Sequence, residues 1–191
     1  MNKRLLIIGA GGHGRSVAET VIAAGDFELM GFIDDAAPGL TNVWDRPVLG
    51  TTANLALCRP HADAAIVAIG HNALREALSD KLVEAGFELV SVIHPKAIVS
   101  PSAIIGAGSA IMAGAIVGTE AKLGRGVIVN CGAVVDHHAQ VDDFGHLGVH
   151  ACMAGGTMLG RAAWLQAGVA LGYNTNISAG TVLACAPAIE K

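Results

Sequence analysis

Aromatic side chains are scarce in this sequence. They make up 4% of its 191 residues, whereas hydrophobic residues together make up 52%. The apolar content is therefore aliphatic and small, and 25 glycines accompany it. This composition argues against a bulky aromatic core and favours thin, regular packing. The length allows one ordinary domain or two small ones, since domains cluster near roughly 100–150 residues, and a change of pattern near residue 92 favours two.

Basic clusters are absent as well. Charged residues are only 15% of the chain, no run of Lys or Arg occurs, and the formal net charge is −4 with neutral histidines. A chain without a positive patch has little electrostatic attraction for nucleic acid or for an anionic membrane surface. We therefore expect neither as a partner.

Cysteine motifs and long apolar runs are also missing. The four cysteines contain no CxxC pair, and the apolar run that opens the chain is broken by glycines from Gly9 onward. That run is too short for a secretory signal or a membrane span. These absences predict a cytoplasmic protein with reduced thiols.

The first half of the chain alternates short apolar runs with segments of helical spacing. The pattern predicts strands at 4–8, 28–33, 64–69 and 87–92, and helices at 12–24 and 72–85. Alternating strands and helices are typical of a parallel sheet covered by helices. We therefore predict a Rossmann-like α/β domain over residues 1–91.

From residue 92 the chain follows a six-residue repeat. In the register VIHPKA, IVSPSA, IIGAGS, the second position is apolar in sixteen consecutive units, and the sixth is generally small until Pro187 interrupts the pattern. Such hexads are typical of a parallel β-helix, in which the large side chain fills the interior and the small one allows a corner. Three hexads close one coil, so residues 18 apart are expected to stack at roughly the 4.8 Å spacing of paired strands. Residues 92–191 are predicted to form this second domain.

Histidines interrupt this regular pattern in the segment VVDHHAQVDDFGH. His137 and His146 lie half a coil apart, so they are expected to project from different sides of one prism. They can meet only if prisms pack about a threefold axis, which predicts a homotrimer with sites between subunits. One coil after His137 comes Gly155, so that a base and a backbone N–H donor are predicted side by side, although a glycine there also suits a tight corner.

Metal binding is a competing explanation for His137, His138, His146 and His150. Zinc ligands must converge at one point, whereas the coil geometry spreads these side chains over more than one face. We therefore expect no metal. His138 and His150 are each expected to be solvated or interfacial.

A glycine-rich loop lies between the first strand and the first helix. IIGAGGHG places glycines at 9, 11 and 14, and Asp34 follows Gly14 by twenty residues. The spacing matches a dinucleotide-binding loop, whose helix amides hold a diphosphate. Only about ninety residues precede the hexads, which is too few for a dehydrogenase, and the same loop chemistry suits a nucleotide sugar.

Taken together, the hexads, the segment IVNCGAVVDHHAQVDDFGHLGVHA and the loop GAGGHG resemble the bacterial left-handed β-helix acetyltransferases that modify nucleotide-linked amino sugars or sialic acid. The resemblance extends from residue 4 to about 185. It implies a left-handed β-helix of hexapeptide repeats, acetyl-CoA as cosubstrate, and acetyl transfer to an amino sugar, with a UDP-linked 4-amino-4,6-dideoxy sugar as the expected acceptor.

The resemblance also implies roles for individual residues. His137 corresponds to the general base, and Asn130 to a polar group near the acceptor amine. The implied acetyl-CoA contacts are His146, which is contributed by the neighbouring subunit, Gly155 and Ala167. The implied nucleotide-sugar contacts are Gly11, Gly12, His13, Asp34, Asp35 and Gly70. From the residues alone, Asp35 could equally be an exposed turn residue, and His71 could cap the following helix.

Two departures from the family pattern raise alternatives. The family places an acidic residue directly after the catalytic histidine, where this chain has His138, so that Asp136 or another carboxylate must substitute or the base is weaker. The chain also ends at ACAPAIEK, without the usual closing strand and tail, which leaves the capping of the last coil open. The alternatives are O-acetylation of sialic acid, or a nucleotide-sugar sensor without catalysis.

Overall fold

A small parallel sheet forms the N-terminal half of the computed structural model, which describes residues 2–37 and 39–185. Its strands are β1 (Lys3–Ile8), β2 (Phe27–Ile33), β5 (Ala64–Val67) and β6 (Glu88–Leu89), in the order β2-β1-β5-β6. Helix α1 (Gly12–Ala24) follows β1, and helix α2 (Asn72–Glu84) follows β5. The predicted strands and helices are confirmed in number and order.

Two short elements and one strand boundary differ from the prediction. The hairpin of β3 (Asn42–Val43) and β4 (Arg46–Pro47) and the 3-10 turns of Thr52–His61 lie between β2 and β5. The strand expected over 87–92 is wrong in extent: it covers only Glu88–Leu89, because Val92 already pairs in the β-helix.

The hexad region forms a left-handed parallel β-helix, as predicted. Each hexad contributes a two-residue strand, and residues 18 apart pair, as in Ala110 with Ile128 and Ile116 with Val134. The strands are β7 (Val92–Ile93), β8 (Ile98–Val99), β9 (Ile104–Ile105), β10 (Ala110–Ile111), β11 (Ile116–Val117), β12 (Lys122–Leu123), β13 (Ile128–Val129), β14 (Val134–Val135), β15 (Gln140–Val141), β16 (His146–Leu147), β17 (Cys152–Met153), β18 (Met158–Leu159), β19 (Trp164–Leu165), β20 (Ala170–Leu171), β21 (Asn176–Ile177) and β22 (Val182–Leu183).

Three faces and three corners make up the prism. The first face contains β7, β10, β13, β16, β19 and β22, the second β8, β11, β14, β17 and β20, and the third β9, β12, β15, β18 and β21. We call the turn from the first to the second face the first corner, the turn from the second to the third the second corner, and the turn back to the first face the third corner. Every third turn of the chain therefore returns to the same corner.

The interior of the prism is filled by the apolar second residue of each hexad. Val117, Val135 and Met153 are at most 1% exposed and belong to one continuous core. The small sixth residues, such as Ala115, Ala133 and Ala151, are buried in the same core. This regular stacking of aliphatic and small side chains explains the low aromatic content.

The N-terminal domain packs on the first face and the third corner of the prism. Val17, Ala18 and Val21 of α1 share a buried cluster with Ala110 of the first face and with Met112, which follows β10. Side chains of α2 reach the third corner, where the Asn72 amide donates to the Ala162 carbonyl at 2.8 Å. One face of the prism is thus covered by the chain's own N-terminal domain.

No helix in residues 2–37 and 39–185 combines the length and the apolar character needed to cross a lipid bilayer. The expected irregularity at Pro187 and the open question of how the last coil is capped concern residues 186–191, which lie outside the described residues.

Candidate functional site

The second corner carries His137 with Gly155 one coil further along. The imidazole of His137 is half exposed, and it leans over the backbone of Gly155 so closely that a β-carbon there would lie 2.5 Å from Nε2. A side chain at position 155 would therefore overlap the ring. The predicted pairing of an imidazole with a bare backbone segment is present in a single chain.

The amide of Gly155 is available as a donor at this corner. Its neighbour Gly156 donates its N–H to the His137 carbonyl at 3.1 Å, and the Ala154 N–H donates to Leu171 at 3.1 Å. No acceptor within residues 2–37 and 39–185 receives the Gly155 N–H. An imidazole base next to a free amide is the pair of groups that acyl transfer requires: one removes a proton and the other stabilises an oxyanion.

Asp136 caps the same corner. Its Oδ1 accepts the His137 backbone N–H at 2.7 Å, and its Oδ2 is 3.8 Å from His137 Nε2. The latter separation is too long for a hydrogen bond. Asp136 therefore stabilises the backbone turn from which the histidine projects.

Asn130 and Ala167 lie at the first corner, away from His137 and Gly155. Asn130 uses its Oδ1 to accept the Cys131 N–H at 2.8 Å, and Ala167 is exposed in the turn between β19 and β20. Because the prism separates the two corners, a single chain does not bring all of the predicted acetyl-transfer residues together. Their proposed roles remain predictions.

His146 lies on the first face, under the N-terminal domain. It is 7% exposed, its ring stacks on Trp164 at 5.1 Å between centroids, and its Nδ1 is 3.3 Å from the Gly70 carbonyl oxygen. The sequence led us to expect a ring free to reach an adjoining subunit. The structure differs because the N-terminal domain packs over this face and covers the ring.

The electrostatics of this buried region keep its histidines neutral. Burial, the Arg75 cation and His13 together lower the pKa of His146 to about 3, although the Gly70 carbonyl acts in the opposite direction. Burial and Arg75 lower the pKa of His13 to about 4. Nε2 of each ring has no hydrogen-bond partner among the residues that the structure describes. Two predicted nucleotide-sugar contacts, His13 and Gly70, are thus brought together within one chain with His146, which was predicted as an acetyl-CoA contact.

Arg75 holds the two domains together next to these histidines. This buried side chain donates to the carbonyls of Gly126 and Phe144 at the third corner, at 2.8 and 2.6 Å. It also donates to the Ile69 and Gly70 carbonyls, at 3.0 and 3.3 Å. Burial lowers the pKa of Arg75 to about 10, so the guanidinium stays charged at neutral pH.

Neither Arg75 nor Trp164 is among the sequence-based candidates. Trp164 follows His146 by eighteen residues, so the period of the coil identifies it as the next residue on the same face. Arg75 has no comparable signal, because its role depends on how α2 docks against the prism.

The glycine-rich loop has the geometry of a phosphate-binding turn. Gly9 has φ +106°, and α1 begins three residues later at Gly12, without a side-chain cap at its N-terminus. A β-carbon at Gly14 would collide with the Gly9 carbonyl, whereas positions 11 and 12 have open space around them. Gly14 therefore allows close packing, and Gly11 and Gly12 leave room for a ligand at the helix N-terminus.

The two aspartates predicted to bind the nucleoside have partners in the protein. Asp34 accepts the Ala10 N–H at 2.6 Å and so supports the glycine-rich loop. Asp35 accepts from both the amide and the hydroxyl of Thr52, at 2.8 and 2.9 Å. His71 caps α2 by accepting the Leu74 N–H at 3.2 Å, as the sequence-based alternative had it. A contact between either aspartate and a nucleoside remains a prediction.

The described residues 2–37 and 39–185 contain no group of three His, Cys, Asp or Glu side chains placed to hold a metal ion. An open groove of about 670 Å³ runs along the third face and extends to the third corner, and its lining includes Gln140, Met158 and Asn176. Cavities of several hundred Å³ are typical of small-ligand sites. The groove offers room for an extended ligand on the third face of the prism.

Comparison with solved structures gives matches along nearly the whole chain. The acetyltransferase domain of PglB from Neisseria gonorrhoeae FA1090, in complex with acetyl coenzyme A, is 39% identical over 95% of this chain and 88% of that chain, with a TM-score of 0.89. PerB from Caulobacter crescentus, in complex with CoA and GDP-perosamine, is 37% identical over 94% of this chain and 88% of that chain, with a TM-score of 0.80.

Sequence comparisons agree with these structures over shorter segments. The family model described as the PglD N-terminal domain matches residues 4–82. A UDP-N-acetylbacillosamine N-acetyltransferase from Bacillus subtilis (strain 168) is 32% identical over 102 residues. That alignment covers 51% of this chain and 46% of the relative, so it spans about half of each protein.

Proposed function

Since the chain belongs to the hexapeptide-repeat sugar acetyltransferases, we propose that it transfers the acetyl group of acetyl-CoA to the amino group of a nucleotide-linked amino sugar. The observation that carries this proposal is the His137 imidazole lying over the backbone of Gly155, whose N–H has no acceptor in the described chain. The expected acceptor is a UDP-linked 4-amino-4,6-dideoxy sugar.

In the proposed mechanism, the amine attacks the thioester carbonyl while Nε2 of His137 removes its proton. The C–N bond forms, and the negative charge that develops on the carbonyl oxygen is stabilised by the Gly155 N–H. As the C–S bond breaks, His137 returns the proton to the sulfur of coenzyme A. The products are the N-acetylated nucleotide sugar and free coenzyme A, without a metal.

The nucleotide-sugar side of the site is proposed to lie in the N-terminal domain. Gly11, Gly12 and His13 would contact the diphosphate-sugar region at the N-terminus of α1. Asp34 and Asp35 would lie on the nucleoside side, and Gly70 next to the sugar. The open space around Gly11 and Gly12 supports this assignment.

We further propose that the active protein is a homotrimer. His137 and Gly155 lie at the second corner, whereas Asn130 and Ala167 lie at the first corner and His146 lies under the N-terminal domain. Packing three prisms side by side would unite the corners of adjoining subunits in one groove. We place the enzyme in the cytoplasm, where its four free cysteines would remain reduced.

A thiol-release assay tests the activity and its substrate. The purified protein would be given acetyl-CoA with UDP-linked 4-amino sugars, their GDP- and dTDP-linked counterparts, or free sialic acid. Thiol release with a nucleotide-linked amino sugar is the expected result. Release with sialic acid alone would instead establish O-acetylation. No release with any acceptor, together with no heat of binding at millimolar coenzyme A, would indicate a nucleotide-sugar sensor.

The variant His137→Ala tests the base. General-base catalysis contributes about 10²–10⁴-fold to rate, so kcat is expected to fall by a factor in that range. Light scattering should show that the oligomer is unchanged, because His137 is exposed at a corner and fills no core position. Wild-type turnover by this variant would contradict the assignment of His137.

A further inference from the structure

Glu120 is a carboxylate at the second corner, next to His138. We infer that Glu120 positions and electrostatically supports the base His137 by acting through the imidazole of His138. The inference rests on the acetyl transfer proposed above. It provides a substitute for the acidic residue that the family places directly after the catalytic histidine.

The three side chains form a continuous chain of contacts. Nδ1 of His137 is 3.0 Å from Nδ1 of His138, and the two rings meet edge to face with an interplanar angle of 86°. Nε2 of His138 is 3.1 Å from Oε2 of Glu120. Both separations are within hydrogen-bonding distance.

The chemistry of these groups determines where the protons lie. An ionised carboxylate only accepts hydrogen bonds, so Nε2 of His138 must carry a proton. In the neutral ring, Nδ1 of His138 is then an acceptor and receives the Nδ1–H of His137. The lone pair of His137 is consequently on Nε2, the atom required to remove a proton from the amine. When that proton binds, the negative charge of Glu120 stabilises the resulting imidazolium, and no proton has to leave His137 for this effect.

Asp136 does not fulfil this role. Its Oδ1 accepts the backbone N–H of His137, and its Oδ2 lies on the Nε2 side of the ring, at 3.8 Å, which is too far for a hydrogen bond. A carboxylate bound at Nε2 would occupy the nitrogen that has to face the substrate. The group that orients a catalytic imidazole acts on the opposite nitrogen, as the aspartate of a serine protease triad does.

The period of the β-helix keeps Glu120 and His138 together. They are eighteen residues apart and occupy the same position of the second corner in consecutive coils. Both have left-handed backbone conformations, with φ of +56° and +58°. Lys122 follows Glu120 by two residues and Gln140 follows His138 by two residues. All four side chains line one shallow depression. The pairing therefore follows from the winding of the chain.

The test is the variant Glu120→Gln, measured as kcat, KM and the pH profile of kcat/KM with the nucleotide sugar that the wild type accepts. We expect kcat to fall by about 10- to 10³-fold while both KM values stay within about twofold of wild type. The acid limb of the profile should move to lower pH by about half a unit, because the carboxylate that favours the imidazolium has been removed. A role confined to folding would lower the amount of active enzyme and leave the limb in place.

Three further variants make the result decisive. Glu84→Gln removes an exposed carboxylate at the end of α2, away from the second corner, and its profile should match the wild type. The double variant Glu120→Gln with His138→Glu places a carboxylate directly beside His137 and should recover most of the lost rate. If Asp136→Asn moves the acid limb and Glu120→Gln does not, or if the double variant is slower than Glu120→Gln alone, the inference is wrong. If the wild type acetylates no nucleotide sugar, the proposed function is wrong. If the wild type is active and Glu120→Gln has the same rate, only the inference about Glu120 is wrong.

Discussion

The imidazole of His137 occupies the space above the α-carbon of Gly155 where a side chain would otherwise lie. This contact joins two consecutive coils, and it combines a base with a free backbone amide in one place. The space for the ring therefore exists only because the residue eighteen positions later has no β-carbon.

We predict that Gly155→Ala lowers kcat/KM by at least about 10²-fold, because the methyl group displaces the imidazole from the amide that it faces. The control is Gly172→Ala. Gly172 lies at the same corner, two coils after Asp136, and a β-carbon added there meets nothing within 4 Å. The assay is thiol release, with circular dichroism to confirm the fold. Full activity of Gly155→Ala would show that the contact has no part in catalysis.

A second prediction concerns the joint between the two domains. Arg75→Met leaves the carbonyls of Gly126 and Phe144 without their donors in a buried interface. Unpaired buried acceptors cost roughly 1–3 kcal/mol each, so the free energy of unfolding should fall by about 3 kcal/mol. Urea titration measures this change. Lys81→Met on the exposed side of the same helix is the control and should stay within about 0.5 kcal/mol of wild type.

The third prediction concerns pH. The pKa of His146 is lowered from 6.5 to about 3 in the folded chain, so between these values the unfolded chain binds a proton that the folded chain does not. The contribution of His146 to the free energy of unfolding is therefore fully present above about pH 6.5. It falls as the pH decreases below that value, by up to about 1.4 kcal/mol per pH unit. Urea midpoints should be measured from pH 7 to 4.5, at a constant protein concentration.

The variant His146→Gln removes this titrating group and should show a shallower decline over the same range. His13 retains its own lowered pKa of about 4, so part of the slope should remain in the variant. Identical slopes for the two proteins would mean that His146 is accessible and protonated in the folded state. Asp63, whose pKa is lowered by hydrogen bonds to Arg4, affects stability only at more acidic pH.

Much of the architecture could be predicted because the hexads encode it locally. Each interior residue is set by its place in a period of six, and each vertical contact by a period of eighteen, so the contact of His137 with Gly155 was predictable. By the same arithmetic, Glu120 beneath His138 and Trp164 on His146 could have been identified from the sequence. Neither required anything beyond counting one coil.

The docking of the N-terminal domain could not be predicted in this way. Arg75 looks like any arginine in a helix, and His146 looks like a residue exposed on a flat face. Their burial depends on which face of the prism α1 and α2 cover, and this choice depends on the fit of two surfaces that are distant in sequence. Sequence periodicity predicts the contacts between neighbouring repeats, but it contains no information about a separate domain that packs across several repeats.

Along the second corner, Glu120, His138 and Asn174 adopt left-handed backbone conformations that glycine, found in the same column at position 156, adopts freely. Each such side chain costs roughly 1 kcal/mol relative to glycine. A laboratory selection for heat tolerance alone would consequently favour replacement of His138 or Glu120 by glycine. Directed evolution of a more thermostable enzyme from this chain should therefore keep positions 120 and 138 unchanged and select stabilising substitutions at other positions.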